Sequence, residues 1–205
     1  MLVYKLLKGI QTYYPVGLPH YNELFEGYSL VQSVISQKHE QLTKRQPVGP
    51  WRLLIQDFKK VYPRLKRQNF DFHQVPSLSL ALTSKELMEV SLQQRSSVVA
   101  VVSLLLPYYT VYIVEELSGP VTSKDLPISF FRSFERPAST DLERSIIDTL
   151  KHCLSVHYPA YSDLDYQVVQ QKLIGAIPVG ADPESGSIKY PMFDFLYGRL
   201  FRLRA

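Results

Sequence analysis

Cys153 and His157 stand four residues apart, which puts a thiol and an imidazole on one face if the segment is helical. Such a pair can generate a thiolate nucleophile. The same cysteine, however, continues an apolar series of Leu142, Ile146, Leu150 and Leu154 at helical intervals. Buried thiols of that kind are inert, so the expectation here is a packed cysteine.

The other histidines are His20, His39, His73 and His152. None belongs to an H-E-x-x-H motif or to a cysteine pair with zinc-ligand spacing, so neither metal nor cofactor is expected. No G-x-S-x-G elbow is present for a serine nucleophile. Residues 180–186 carry a glycine at each end but no following Lys-Ser or Lys-Thr. Asp182 and Glu184 within that segment would repel phosphate, so it reads as a surface turn. Glu115-Glu116 and Asp141/Glu143 have the right groups for acid–base work, but nothing in the sequence brings them together. Asp163 and Asp165 suit the positive end of a helix dipole. The chain is therefore expected not to be an enzyme. A site assembled from residues distant in sequence is the alternative.

Charge is distributed unevenly. Residues 38–67 hold nine basic side chains against Glu40 and Asp57, a net of +7 in a chain whose total is +4. Such a segment suits an acidic protein, a nucleic acid or an anionic surface. Arg52, Lys59, Lys60, Arg64, Lys66 and Arg67 are the candidate partner-binding residues here. Arg199 and Arg202 join them at the edge of an apolar stripe of Phe193, Leu196, Tyr197, Leu200 and Phe201. That stripe is expected to pack on the chain's own sheet, with partner contact as the alternative. Trp51, Tyr62 and Phe70 lie among the basic residues, where exposed rings would stack on bases. If the rings turn inward, the segment is a solvated face. The inward reading is favoured, because no RRM, KH or helix-turn-helix signature accompanies the charge. An acidic protein is thus the expected partner, and nucleic acid bound through 38–67 the alternative.

These groups need elements to hold them. Residues 98–114 carry no charge, which raises the question of a membrane span. Val, Thr, Ile and Tyr dominate there, and Pro107 would break a helix. The stretch reads as two paired strands, 98–106 and 108–116, with Pro107 and Tyr108 near the bend; no membrane insertion is expected. Leu78, Leu80 and Leu82 alternate with small or polar neighbours, predicting a strand over 77–83 with one buried face. Phe70 and Phe72 alternate similarly. Residues 85–93 suit either helix or strand. Gly119-Pro120 reads as a loop, followed by a short strand near 128–131.

Leu24, Tyr28, Val31, Ile35 and Leu42 predict a helix over 21–42 with Asn22 as N-cap. A shorter helix is expected over 50–61, with Pro50 early and Leu54, Phe58 and Val61 on one face. Thr140 and Glu143 have capping-box spacing and open a helix that Tyr158-Pro159 ends. Helices are also expected over 163–174 and, as helix or strand, over 192–204.

Helices, then strands, then helices predict an α+β fold: an antiparallel sheet flanked by N-terminal and C-terminal helices, in one domain over residues 1–205. Tyr at 14 and Phe at 10 are abundant, and 45% of residues are apolar, enough for a substantial core. One cysteine allows no internal disulfide. Lys5 and Lys8 interrupt the first apolar run, so no signal peptide is read and a cytoplasmic location is expected. The function expected is a non-enzymatic protein-interaction role. By analogy of type, this is either a bacterial immunity or antitoxin-like protein that occludes a partner or a subunit of a larger assembly.

Overall fold

A computed structural model describes residues 2–17, 25–70, 75–83, 88–89, 94–122, 127–181 and 189–198. Three helices come first: α1 (Leu2–Tyr13), α2 (Glu26–Thr43) and α3 (Pro50–Val61). Six strands follow: β1 (Lys66–Phe70), β2 (Ser77–Thr83), β3 (Met88–Glu89), β4 (Gln94–Ser103), β5 (Tyr108–Thr122) and β6 (Pro127–Arg136). The rest comprises α4 (Asp141–His157), β7 (Ser162–Asp163), α5 (Tyr166–Val169), β8 (Lys172–Ile174), β9 (Lys189–Pro191) and α6 (Met192–Tyr197). The fold is α+β, with β1, β2, β4, β5 and β6 adjacent in that order and antiparallel throughout.

The uncharged stretch forms the centre of this sheet. β4 and β5 pair in continuous register from Gln94↔Leu117 to Val102↔Tyr109. Residues 104–107 make the turn, and Ser103 organises it. Its Oγ accepts from the N–H of Leu105 (3.2 Å) and Leu106 (3.3 Å) and donates to the Leu196 carbonyl (2.8 Å). A serine hydroxyl thus substitutes for the Asn-Gly chemistry of a two-residue hairpin. Among the described residues no helix is long and apolar enough to cross a membrane.

Both faces of the sheet are covered at β2, where every residue is buried. This corrects the expectation of one buried face. Leu78, Leu80 and Leu82 share a face with Val98, Ala100 and Val102, toward α3 and α4. From that side Trp51 Nε1 reaches Asn69 Oδ1 at 2.9 Å. On the other face α6 packs against β2 and β4. Ser77 Oγ donates to the Tyr197 carbonyl there (2.6 Å). α1 supports the same side, where Tyr14 meets Phe195 edge-on at 5.0 Å.

Several boundaries differ from the sequence reading. α1 was not anticipated; Leu6 and Ile10 are its buried positions. α2 begins at Glu26 after an extended Phe25 N-cap, so Asn22 does not cap it; residue 22 lies outside the described residues. In α3 Trp51, Leu54 and Phe58 are buried, while Val61 is exposed. Gly119 and Pro120 are part of β5, opposite Phe130 and Ser129, and β6 is longer than expected. Pairing with β4 ends at Leu117, so Pro120 sits where β5 has one strand neighbour and a missing N–H costs little. The helix expected over 163–174 is one turn, α5, because residues 172–174 pair with β9 instead. α6 stops at Gly198, whose φ of 78° favours glycine; residues 199–205 lie outside the described residues.

Candidate functional site

The corner where α3 turns into β1 gathers most of the predicted basic residues. Gly49 precedes α3 as its N-cap, where only glycine fits: a Cβ there would lie 2.3 Å from the Leu42 carbonyl oxygen. Arg52 Nε donates to the Thr43 carbonyl at 2.5 Å, satisfying one of the last carbonyls of α2. Lys59 and Lys60 occupy the last turn of α3, where cations favour the helix dipole. Lys60 bonds to Asp57 at 2.5 Å, and Arg67 Nη1 donates to the Tyr62 carbonyl at 3.2 Å. Arg52, Lys60 and Arg67 therefore have partners within the chain. Lys59, Arg64 and Lys66 are exposed and take part in no ion pair among the described residues. Arg199 and Arg202 lie outside the described residues.

The interleaved aromatics do not form a stacking surface. Trp51 is 1% exposed. Tyr62 stacks on Phe58 at 5.2 Å, and its hydroxyl shares a 2.7 Å hydrogen bond with Ser145 Oγ. Phe70 is half-buried and packs against the core. Within the C-terminal stripe Phe193, Leu196 and Tyr197 are buried, so these three pack on the sheet and are not a partner surface; Leu200 and Phe201 lie outside the described residues.

Cys153 and His157 do share α4, and each has its own surroundings there. Burial pushes the Cys153 thiol upward, with the Asp57 charge adding to the effect. His157 Nε2 lies 2.9 Å from Asp57 Oδ2, linking α4 to α3. Lys60 first and His157 second hold the Asp57 carboxyl below its usual range. Among the described residues no group of three or more His, Cys, Asp or Glu side chains has metal-binding geometry.

Two of the sequence's acidic candidates do converge, and on a cation. Arg136, the last residue of β6, is bound by Glu115 and Glu143 together. Its Nη2 and Nη1 meet the Glu143 oxygens at 2.6 and 3.1 Å, and its Nε donates to Glu115 Oε2. Nη2 also donates to Ser96 Oγ at 2.9 Å. Glu143 completes the capping box, accepting from the N–H of Ser139 (2.8 Å) and Thr140 (3.1 Å). Burial works to raise its pKa, but Arg136 and these two amides outweigh it and bring the carboxyl down to about 2. Both carboxylates are thus charge partners of Arg136.

Beside this network is a cleft of about 790 Å³, which the sequence reading missed. The end of β6, the middle of α4, and the β7–α5 segment enclose it. Lys151 and Asp163 pair across it at 2.6 Å, and Tyr112 stacks on Tyr166 with centroids 4.4 Å apart. Asp165 caps α5 by accepting from the Gln167 N–H at 2.7 Å. Asp163 and Asp165 were visible in the sequence as a helix start; the meeting of Asp163 with Lys151 depends on the parallel pairing of β7 with β5.

No family model matches this sequence, and no curated protein or solved structure is significantly similar to it.

Proposed function

We propose that the chain is a non-enzymatic protein-interaction module that docks an acidic partner protein through the α3–β1 corner. The observation that carries this reading is the surplus of charge there. Lys59, Arg64 and Lys66 are exposed without an ion-pair partner among the described residues, while the deeper cation Arg136 is matched by two carboxylates. Exposed charges of one sign steer an oppositely charged partner and raise its association rate. Lys66 lies on an edge strand, where lysine also discourages indiscriminate strand pairing. The inward-turned aromatics favour a protein over single-stranded nucleic acid, which would need exposed rings. Occlusion of a partner and service as a subunit both fit this reading, and the stoichiometry of the isolated complex separates them.

The test compares the wild-type chain with a Lys59→Glu/Arg64→Glu/Lys66→Glu variant, each immobilised and exposed to lysate, DNA and RNA. The expected result is an acidic protein that the wild type retains, raised salt releases, and the variant does not bind. Equal retention by both forms overturns the corner as the site. Salt-dependent binding of DNA or RNA in place of protein overturns the choice of partner.

A further inference from the structure

β1 stands at the end of the sheet. Among the described residues β2 is the one strand that pairs with it, and Lys66, Gln68 and Asn69 are exposed. The hydrogen bonds of the next strands fix which of its amides face outward. The Leu104 N–H donates to the Pro76 carbonyl at 2.8 Å, so Pro76 addresses the β4 side. Along a strand, alternate residues aim their N–H and C=O to the same side. Register with β4 is unbroken from Ser77 to Leu82, so Leu78, Leu80 and Leu82 address β4 as well. Ser79, Ala81 and Thr83 therefore turn to β1, where they stand opposite Phe70, Gln68 and Lys66. Arg67 and Asn69 are left aiming their N–H and C=O away from β2. Among the described residues no hydrogen bond engages these main-chain groups. The two residues make their contacts through side chains, to the Tyr62 carbonyl and the Trp51 indole.

This open edge is basic. β1 carries Lys66 and Arg67 and no acidic residue, and Arg64 is exposed just before it. A carboxylate on an added strand would stand beside Lys66 at cross-strand distance. A second copy of β1 would bring two more cations and no carboxylate, which disfavours self-pairing. Five residues span roughly 17 Å at about 3.4 Å each, room for a short extended segment.

We propose that the edge of β1 takes an extended acidic segment as an added strand, its peptide units pairing with the outward main chain of Arg67 and Asn69. Backbone hydrogen bonds hold the segment, and Arg64 and Lys66 select its carboxylates. The inference rests on the basic corner as the docking face and adds the form in which the acidic partner is held.

The experiment is an amide NMR titration of the full chain with three probes. These are acetyl-Thr-Glu-Val-Glu-Thr-amide, the same peptide N-methylated at its valine and following glutamate, and acetyl-Thr-Arg-Val-Arg-Thr-amide. The acidic peptide is expected to shift the Arg67 and Asn69 amides saturably and to slow their hydrogen exchange. The N-methylated peptide keeps both charges but loses a donor on each edge, so it should bind at least about tenfold more weakly. The arginine peptide should be weaker by a similar factor, and Lys66→Glu should narrow or reverse that preference. No shift at Arg67 and Asn69 with the acidic peptide, or equal binding of the acidic and arginine peptides, overturns the proposal. Slow exchange of both amides in the free chain overturns it too, because a second copy or the chain itself then covers the edge. Equal binding of the N-methylated peptide overturns strand addition but leaves the basic corner standing as a charged face, so the two readings fail separately.

Discussion

Glu115 of β5 and Glu143 of α4 grip a single guanidinium, that of Arg136, and so fasten the helix to the sheet. Both carboxylates are buried, at 7% and 0% exposure, so neither can fall back on water if the cation is removed. Arg136→Met leaves two uncompensated buried charges, for which a loss of about 3–5 kcal/mol is expected. For a chain of this size that lowers the Tm by roughly 10 °C, at 2–4 °C per kcal/mol. Arg136→Lys should recover only part of the loss, because an ammonium cannot make the two-pronged contact with Glu143. Thermal unfolding of the two variants checks both statements; equal Tm for Arg136→Met and wild type would contradict the network's role.

The same network sets the acid limit of stability. The Glu143 carboxyl falls from an ordinary 4.5 to about 2 in the folded chain. A depressed pKa means that the unfolded chain takes up its proton first as pH falls. The contribution is complete above about pH 4.5 and is lost progressively as pH drops toward 2. Asp57, lowered by Lys60 and His157, works in the same direction. Denaturant unfolding measured from pH 6 to pH 2.5 should show declining stability for the wild type and a flatter profile for Glu143→Gln. Stability that rises over this interval would contradict the assignment.

The two acidic pairs also show where sequence reading stops. The capping box of Thr140 and Glu143 is local, and the structure contains it as expected. The helix over 50–61 and the central strand pair are equally local, written in period and composition. That Glu143 also reaches Arg136 depends on how β6 leads into α4, which no spacing encodes. The segment over 163–174 failed for a related reason. Its helical pattern is real but short, and pairing of residues 172–174 with a strand distant in sequence overrides it. The cleft was invisible because it is the gap left between β6 and β7, a product of register. The basic residues were legible as a group, but their division into partnered and unpartnered members required the Tyr62 and Thr43 carbonyls to be in place.

Burial of Cys153 makes a prediction that a catalytic thiol would not meet. At 8% exposure and with a raised pKa, it should react slowly with a disulfide reagent at pH 8 in the native chain. Reaction should become fast once denaturant opens α4, since access then depends on unfolding. His157→Ala should leave the native labelling rate nearly unchanged, because the imidazole engages Asp57. Rapid native labelling that His157→Ala slows would instead indicate an activated cysteine.

The basic corner should be dispensable for folding. Lys59, Arg64 and Lys66 are exposed and make no ion pair among the described residues, so their replacement costs only the contact of Lys59 with the α3 dipole, a few tenths to about 1 kcal/mol at an exposed site. The triple glutamate variant is expected to stay within about 1 kcal/mol of wild type, the scale of three surface changes. Arg52→Glu should behave differently: it deprives the Thr43 carbonyl of its donor. A loss of about 1–2 kcal/mol is expected there, from one charged hydrogen bond partly offset by a carboxylate in the first turn of α3. Chemical denaturation of the two variants distinguishes a surface free for a partner from one holding the helices together. If the triple variant unfolds as readily as Arg52→Glu, the corner is structural and the proposed docking face loses its basis.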